Sequence, residues 1–355
     1  MTPLASRADK AKLIWASLRR WWNADFSVVP SSRLLNLGLQ GGGAHGAYTW
    51  GVLDALLEEP SIEFSALSGS SAGAINAVVF ANGWMQGGRT GARTALDDFW
   101  MEVGQQIPWP LVTQGQGDSI NLTIVARVLT QWLGMFAPIQ LNPLGLNPLR
   151  DILNNHIDFE GLRRKSPFRL FVGATHVNSG KLRLFREHEL QLDMLLASAC
   201  LPRLHHTVIV DGEPYWDGGY SANPAVFPLL RGKGSLDILL ILLAPQLQDD
   251  VDQSVESIAT RIQEIGFTGH FIREMHMLAD AVNVSDRGRL ETVRFHMIDA
   301  ENLDVLRRSE TKLLAYGPFL EMLRDHGRIR TKQWLAENLQ SIGKRGTLDW
   351  AHWTV

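Results

Sequence analysis

The sequence predicts an α/β fold with a central, mainly parallel sheet and helices on both faces. Apolar strand-like runs such as residues 34–39 (LLNLGL) alternate with helical stretches such as residues 47–57, which is typical of a parallel sheet covered by helices. Residues 238–244 (ILLILLA) are all apolar, as expected of a strand buried on both faces. With 45% hydrophobic and 20% charged residues, the chain can bury a large core.

The remaining elements follow from the same patterns. An Asp211-Gly212 pair between two strand-like runs predicts a hairpin with a two-residue turn over residues 207–216. Residues 254–284 and 303–339 are predicted to be helical, on either side of a strand at 290–298. The other predicted strands are 62–68, 168–175, 181–186 and 237–243, and the other predicted helices are 72–81 and 190–200.

Three parts are expected along the chain. Residues 1–32 form a basic amphipathic appendage, residues 33–245 the main α/β domain, and residues 246–355 a mostly helical C-terminal part packed on the same core. Within the main domain, the apolar and proline-rich stretch 104–150 is too long for an ordinary loop, so it is expected to be packed core or a lid over a site.

The appendage allows two interpretations. As a helix it places Ile14, Leu18, Trp21 and Trp22 on one face. This face either packs on the body of the protein or lies in a membrane interface, where basic helices with tryptophans bind peripherally.

Charge and cysteine content exclude several classes of protein. The 355-residue chain carries 34 basic and 37 acidic residues, so no basic excess is present to bind nucleic acid. The single cysteine, Cys200, excludes an intramolecular disulfide and a multi-cysteine zinc site, and it is expected to be a small buried residue rather than a nucleophile. Neither a signal peptide nor an apolar run of the ~20 residues that span a bilayer is visible, which indicates a cytoplasmic protein.

A glycine-rich loop follows the first predicted strand and opens a helix. It comprises Gly41, Gly42, Gly43, Ala44, His45 and Gly46. The Gly41, Gly43, Gly46 spacing fits a loop that binds the diphosphate of a dinucleotide. It fits equally a loop whose amides hold the oxyanion of an acyl-transfer intermediate.

A second motif decides between these two interpretations. Residues Gly69 to Gly73 form a G-x-S-x-G pattern between the second strand and its helix, where a dinucleotide fold would place an acidic residue. Such a turn lifts the central Ser71 hydroxyl clear of the sheet, whereas Ser70 is not centred between the glycines. We therefore expect Ser71 to be a nucleophile.

A third motif, Asp217-Gly218-Gly219, supplies a candidate base. An activated serine needs a group that takes its proton, and in α/β-hydrolases this group is a histidine placed after the acid in the chain. None of the histidines after Asp217 lies in a recognisable turn motif, and packing or surface roles are favoured for His270, His276, His296, His326 and His352.

In this order, G-G-G-x-x-G, G-x-S-x-G and D-G-G, the motifs of residues 33–245 resemble those of the patatin-like phospholipase family. The stretch 197–202 (ASACLP) is similar to the family as well. The resemblance implies a three-layer α/β/α catalytic domain that hydrolyses lipid acyl esters with a Ser-Asp dyad and without histidine, metal or cofactor.

Carried over by motif, the resemblance implies Ser71 as nucleophile, Asp217 as general base and Gly41, Gly42 and Gly43 as the oxyanion hole. Further motif positions with a supporting role are Gly46, Gly69, Gly73, Gly218 and Gly219. One departure is His45, where many members carry Arg or Lys; a neutral imidazole there attracts an anion less strongly.

The expected partner is therefore a lipid or another acyl ester, with peripheral membrane contact. Two alternatives stay open. One is an esterase acting on another insoluble acyl substrate such as a storage polyester; the other is a non-catalytic membrane-binding or nucleotide-binding protein. Head group, acyl chain length and oligomeric state cannot be read from these motifs, because pocket shape determines substrate selectivity.

Overall fold

The computed structural model describes residues 33–106, 113–115, 120–123, 138–231, 234–244, 254–283, 292–300 and 303–353. The strands are β1 (Arg33–Leu39), β2 (Ile62–Ser70), β3 (Thr113–Gln114), β4 (Asn121–Leu122), β5 (Arg169–His176), β6 (Leu182–Arg186), β7 (Val208–Val210), β8 (Glu213–Asp217), β9 (Asp237–Ile241) and β10 (Arg294–Ile298). The helices are α1 (Gly46–Leu57), α2 (Ala72–Gly104), α3 (Pro138–Leu141), α4 (Pro148–His156), α5 (Phe159–Lys165), α6 (Leu192–Ser198), α7 (Val255–Asn283) and α8 (Gly317–Asn338). Short 3-10 turns occupy Gly43–His45, Gly218–Tyr220, Asp304–Arg307, Ser309–Leu313 and Trp350–Trp353.

The main sheet has the strand order β10-β9-β1-β2-β5-β8-β7, with β6 on the other edge of β5. Neighbouring strands from β10 to β5 are parallel, whereas β6 and β8 run antiparallel to β5 and β7 runs antiparallel to β8. The carboxyl ends of the parallel strands therefore meet at one end of the sheet, where α/β proteins place their ligands.

Both faces of this sheet are covered by helices, which confirms the predicted three-layer α/β/α architecture. Strand β9 shows this best, because all five of its residues are buried. Its residues Leu239 and Ile241 belong to the core under α1, α2 and α8. The alternate residues Ile238 and Leu240 belong to a second core with Phe271 of α7, as the period of two along a strand requires.

The observed elements differ from the predicted ones mainly in length. Helix α2 extends to Gly104 and kinks at Gly87 and Gly88, whose backbone angles are not helical. The predicted helix 303–339 consists instead of two 3-10 turns followed by α8. A new helix begins there because Pro318 lies at its start, where the missing N–H of proline costs no hydrogen bond.

Several predicted segments fall outside the described residues. These are the appendage 1–32 and much of the insertion 104–150, namely residues 107–112, 116–119 and 124–137. In the described part of the insertion, Leu144 and Leu146 are exposed and Ile120 is buried. Among the helices that the structure describes, none is long and apolar enough to cross a membrane.

Candidate active site

The register of β5 brings the predicted serine and aspartate together. Strand β2 ends with Ser70 opposite Gly173, and Asp217 of β8 lies opposite the next residue, Ala174. Because β6 occupies the other edge of β5 over this stretch, β8 must continue on the edge that β2 has just left. Asp217 therefore follows the end of β2 directly, beside Ser71.

Ser71 lies at a strained turn between β2 and α2. Its backbone angles are φ 54° and ψ −129°, a left-handed conformation that a residue with a side chain adopts only at a cost of about 1–3 kcal/mol. The turn is held by its amide, which donates to the backbone carbonyl and the hydroxyl of Ser198 at 3.1 and 3.0 Å. This amide is thus occupied, while the Ser71 residue is half-buried at the end of the sheet.

The neighbouring Ser70 has a structural role. Its hydroxyl is fully buried and donates to the backbone carbonyl of Ala222 at 2.6 Å. The two adjacent serines thus point to different environments, and Ser71 is the one beside the aspartate.

Asp217 is fully buried and its backbone is fixed on two sides. Its amide donates to the carbonyl of Cys200 at 2.8 Å, and its own carbonyl accepts from the hydroxyl of Thr175 at 2.8 Å. In the side chain, Oδ1 accepts from the amide of Gly219 at 2.8 Å. The other oxygen, Oδ2, is buried without a hydrogen-bond partner among the described residues, which is unusual for a buried carboxylate.

Burial raises the pKa of Asp217 to about 7, although the Gly219 amide and the Ser71 hydroxyl both act to lower it. The Ser71 hydroxyl thus lies close enough to affect the carboxyl, yet it makes no hydrogen bond to Oδ2 in this geometry. A carboxyl with such a pKa exchanges protons near neutral pH, as a general base must. Catalytic hydrogen bonds are often loose without substrate and tighten when it binds.

The glycine loop is anchored at its first residue. The amide of Gly41 donates to Oδ1 of Asn223 at 2.7 Å, and Nδ2 of Asn223 donates back to the Gly41 carbonyl at 3.2 Å. A Cβ atom on Gly41 would lie 2.3 Å from the Ser70 carbonyl oxygen, so the loop lies directly against the serine turn. Because its amide donates to Asn223, Gly41 is less available as an oxyanion donor than the glycines that follow, and its role in the oxyanion hole stays a prediction.

The two following glycines keep their amides available. No hydrogen bond within the described residues engages the amides of Gly42 and Gly43, as is usual at the start of a helical turn. Gly43 has φ +60°, and a Cβ atom there would lie 2.4 Å from the carbonyl oxygen of Lys312. Only glycine fits both this backbone conformation and this contact.

The other predicted motif glycines lie where backbones approach closely around the site. A Cβ atom on any of them would come within 3 Å of a neighbouring atom. For Gly69, Gly73 and Gly218 this neighbour is a backbone atom. For Gly46 it is the Cβ of Ala72, and for Gly219 it is the ring of Phe267.

His45 is buried against the C-terminal part of the chain. Its Nε2 lies 2.7 Å from the hydroxyl oxygen of Thr311. Burial, and then the positive charges of Lys312 and Arg308, hold the pKa of His45 well below its usual value. The imidazole is therefore neutral, as the sequence suggested, but cationic side chains from residues 308–312 lie near the loop.

No histidine in the described ranges is hydrogen-bonded to Ser71 or Asp217. His296 bonds Asp237 and Thr347 at the opposite end of the sheet, and His276 packs edge-on against Trp353. Across the same ranges, no group of three His, Cys, Asp or Glu side chains is placed to hold a metal ion.

Cys200 is buried beside the site as a free thiol. Burial raises its pKa to about 11, so the nucleophilic thiolate is disfavoured, in agreement with the expected packing role. Its residue also lines a cavity of about 240 Å³, together with Leu196, Ala199, His205 and His206. The cavity thus adjoins the segment 198–200 that holds both Ser71 and Asp217 in place.

A serine at a strained strand-to-helix turn, a buried carboxyl beside it and free glycine amides are typical of hydrolases that transfer acyl groups. A family model described as patatin-like phospholipase matches residues 37–230, which is more than half of the chain. The chain belongs to this family, and as a member of it is a hydrolase of the lipid acyl hydrolase class.

Two solved structures are similar over most of the chain. VipD from Legionella pneumophila shares 16% sequence identity at a TM-score of 0.35, with 84% of this chain and 67% of that chain covered. A chain of the ExoU–SpcU complex from the type III secretion system of Pseudomonas aeruginosa shares 16% identity at a TM-score of 0.30. That match covers 85% of this chain but only 52% of the other. No curated protein matches the sequence.

The sequence motifs did not identify three residues that are distant in the sequence but hydrogen-bond to the site. Asn223 and Ser198 bond the glycine loop and the serine turn, and Thr311 bonds His45. Ser198 lies within the stretch 197–202 and Asn223 shortly after the D-G-G motif, so their position hinted at a role. Nothing in the sequence around Thr311 indicates a contact with the loop.

Proposed function

We propose that the protein hydrolyses lipid acyl esters through a Ser71–Asp217 dyad. Oγ of Ser71 attacks the ester carbonyl carbon while its proton passes to Oδ2 of Asp217. The amides of Gly42 and Gly43 stabilise the negative oxygen of the tetrahedral intermediate. The bond to the alcohol then breaks, and the alkoxide leaves with the proton from Asp217.

The second half of the reaction restores the serine. Asp217, ionised again, takes a proton from a water molecule that attacks the acyl-serine. A second tetrahedral intermediate, held by the same amides, collapses to release the carboxylic acid, and Ser71 regains its proton. Each proton that Asp217 accepts is returned, so no external acid or base is consumed.

One observation carries this proposal: the buried Oδ2 of Asp217 has no hydrogen-bond partner in the described part of the chain, and the carboxyl lies beside the hydroxyl of Ser71. A structural aspartate would normally have both oxygens satisfied, because an unpaired buried polar group lowers stability. An open acceptor beside a strained serine is what proton transfer from that serine requires.

The proposal is tested by labelling and by a substrate panel. The wild type is expected to react with a fluorophosphonate probe at Ser71, and peptide mapping locates the label. Hydrolysis is then compared on phospholipid vesicles, monoglycerides, nitrophenyl esters and polyester granules. Labelling with activity on granules alone would favour the polyester alternative. Absence of labelling would remove the proposed enzyme activity.

We expect kcat/KM to increase with pH and to level off above about pH 7. Asp217 serves as a base only when ionised, and its pKa is raised to about 7 by burial. The profile is measured on a soluble nitrophenyl ester, at substrate concentrations below KM. Full activity retained well below the pKa of Asp217 would argue against this carboxyl as the base.

Gly43→Ala should lower kcat more than it changes KM. The new methyl group would meet the Lys312 carbonyl at 2.4 Å, displacing the amide that holds the oxyanion. Loss of one such donor typically costs about 100- to 1000-fold in kcat. Steady-state kinetics on a soluble ester measures both parameters.

Gly180→Ala is the matched control for Gly43→Ala. Gly180 also has a left-handed backbone, φ +66°, but a Cβ atom there meets nothing within 4 Å. Both variants thus place an alanine in a left-handed backbone conformation, but only Gly43→Ala brings the new methyl group against the Lys312 carbonyl. An equal loss of kcat in both variants would contradict the role given to Gly43.

A further inference from the structure

We infer that Thr311 is a positioning residue of the glycine loop: the 3-10 turn Ser309–Leu313 holds Gly43 and His45 so that the loop amides face the substrate carbonyl. The inference rests on the proposed function, because it assigns the support of the proposed oxyanion hole. The family model matches residues 37–230, so Thr311 extends the site into a part of the chain outside that match.

We assign the direction of the hydrogen bond between His45 and Thr311 from the other contacts of the Thr311 hydroxyl. The Thr311 hydroxyl lies within hydrogen-bond distance of the carbonyl oxygens of Val305 and Arg308, at 2.9 and 2.7 Å. With its single proton assigned to one of these carbonyls, the Thr311 hydroxyl oxygen accepts from Nε2–H of His45, 2.7 Å away.

Both partners of this bond are enclosed. His45 is 1% exposed and Thr311 is 0% exposed, so water cannot replace either partner. Burial, Lys312 and Arg308 hold the pKa of His45 low, so the imidazole is neutral. A buried donor that loses its acceptor destabilises the loop, and the loop would shift until the donor finds another partner.

A second contact joins the glycine loop to the same 3-10 turn, between Gly43 and Lys312. Gly43 lies so close to the Lys312 carbonyl that a Cβ atom would be 2.4 Å from it. Asn223 holds Gly41 at the other end of the loop. The loop is thus held at Gly41 by Asn223, and at Gly43 and His45 by the 3-10 turn. Gly42 lies between these two points of contact.

The same turn also reaches the aspartate side of the site. Nζ of Lys312 lies 3.8 Å from Oε1 of Glu264 on α7. One turn further along α7, the ring of Phe267 packs on Gly219, whose amide binds Asp217. The C-terminal part of the chain therefore contacts both halves of the proposed catalytic site.

The test compares Thr311→Val, Thr311→Ser and Thr331→Val. Valine keeps the shape of threonine but removes the acceptor, and serine keeps the acceptor. Thr331 is equally buried, but its hydroxyl donates to Gly327 within α8 instead of reaching the loop, so Thr331→Val controls for the loss of a buried hydroxyl.

For Thr311→Val we expect kcat on a nitrophenyl ester to fall about 10- to 100-fold with little change in KM, since small displacements of catalytic groups have effects of this size. The rate of fluorophosphonate labelling should fall with it. Thr311→Ser and Thr331→Val should keep kcat near the wild-type value. Thermal unfolding of every variant confirms that the folded state is being compared.

Wild-type kcat in Thr311→Val, or an equal loss in Thr331→Val, would overturn the inference while the labelled Ser71 of the wild type keeps the proposed function. An unlabelled wild type would overturn both. If Thr311→Val does not fold, His45→Leu and His45→Gln replace it, since only glutamine retains a donor for Thr311. Equal kcat in these two variants would likewise overturn the inference.

Discussion

Replacing Ser71 with alanine is expected to abolish ester hydrolysis while the fold persists. The Ser71 hydroxyl lies close enough to the Asp217 carboxyl to lower its pKa, whereas the neighbouring Ser70 hydroxyl is buried and donates to Ala222. Loss of a catalytic serine lowers kcat by about 10⁶-fold in a well-studied serine hydrolase, so activity should fall to background. Hydrolysis of a soluble ester and labelling by a fluorophosphonate probe measure the loss.

Ser71→Gly provides a second measurement on the same residue. It should be equally inactive but more stable than Ser71→Ala by about 1 kcal/mol or more, because glycine adopts the left-handed backbone at residue 71 without a side-chain clash. Chemical denaturation of both variants compares their free energies of unfolding. More than a few per cent of wild-type activity in Ser71→Ala would move the nucleophile elsewhere.

Asp217→Asn is expected to lower kcat by about 10⁴-fold, the loss seen when another hydrolase has the aspartate of its triad replaced by asparagine. The amide has nearly the shape of the carboxyl and can still accept from Gly219, but it cannot take the proton of Ser71. Activity on a soluble ester measures the loss, and the variant should remain folded.

The pH dependence of stability gives an independent check on Asp217. Because burial raises its pKa to about 7 in the folded state, above its value of about 4 in an unfolded chain, the folded protein binds the proton more tightly. The contribution of Asp217 to the free energy of unfolding therefore falls as the pH rises between these two values. Asp217→Asn should remove this decline, as denaturation at several pH values would show.

Asp211→Asn is the matched control, because both aspartates precede a glycine. Asp211 and Gly212 have φ 51° and 82° at the tip of the β7–β8 hairpin, a turn that asparagine-glycine forms equally well. Activity and stability should both be kept. An inactive histidine variant beside an active Asp217→Asn would overturn the dyad and favour a serine-histidine pair.

The sequence predicted the layers of the fold because they depend on patterns within short segments. A wholly apolar run identified β9, and the D-G pair identified the hairpin turn between β7 and β8. The predicted lengths of the helices were less accurate, because the pattern of apolar residues does not show which residues interrupt a helix. Residues 303–316 resemble a helix in composition but contain two 3-10 turns, with Leu303, Val305 and Leu314 buried in the core.

Of the candidate site, the sequence by itself determined the proposed reacting groups and the local turns that present them. Gly69 to Gly73 encode a turn that exposes Ser71, and the D-G-G motif gives Asp217 a loop free to approach it. Adjacent residues contain all the information for such turns, because the backbone conformation of a turn is decided by its own glycines and side chains.

Only the tertiary structure decided how these groups work together. The register of β5 places Asp217 after the end of β2, and burial there raises its pKa. Asn223 engages the amide of Gly41, and Thr311 lies 266 residues from its partner His45. Contacts over such separations depend on the packing of whole layers, and no spacing within a motif records which distant residues that packing brings together.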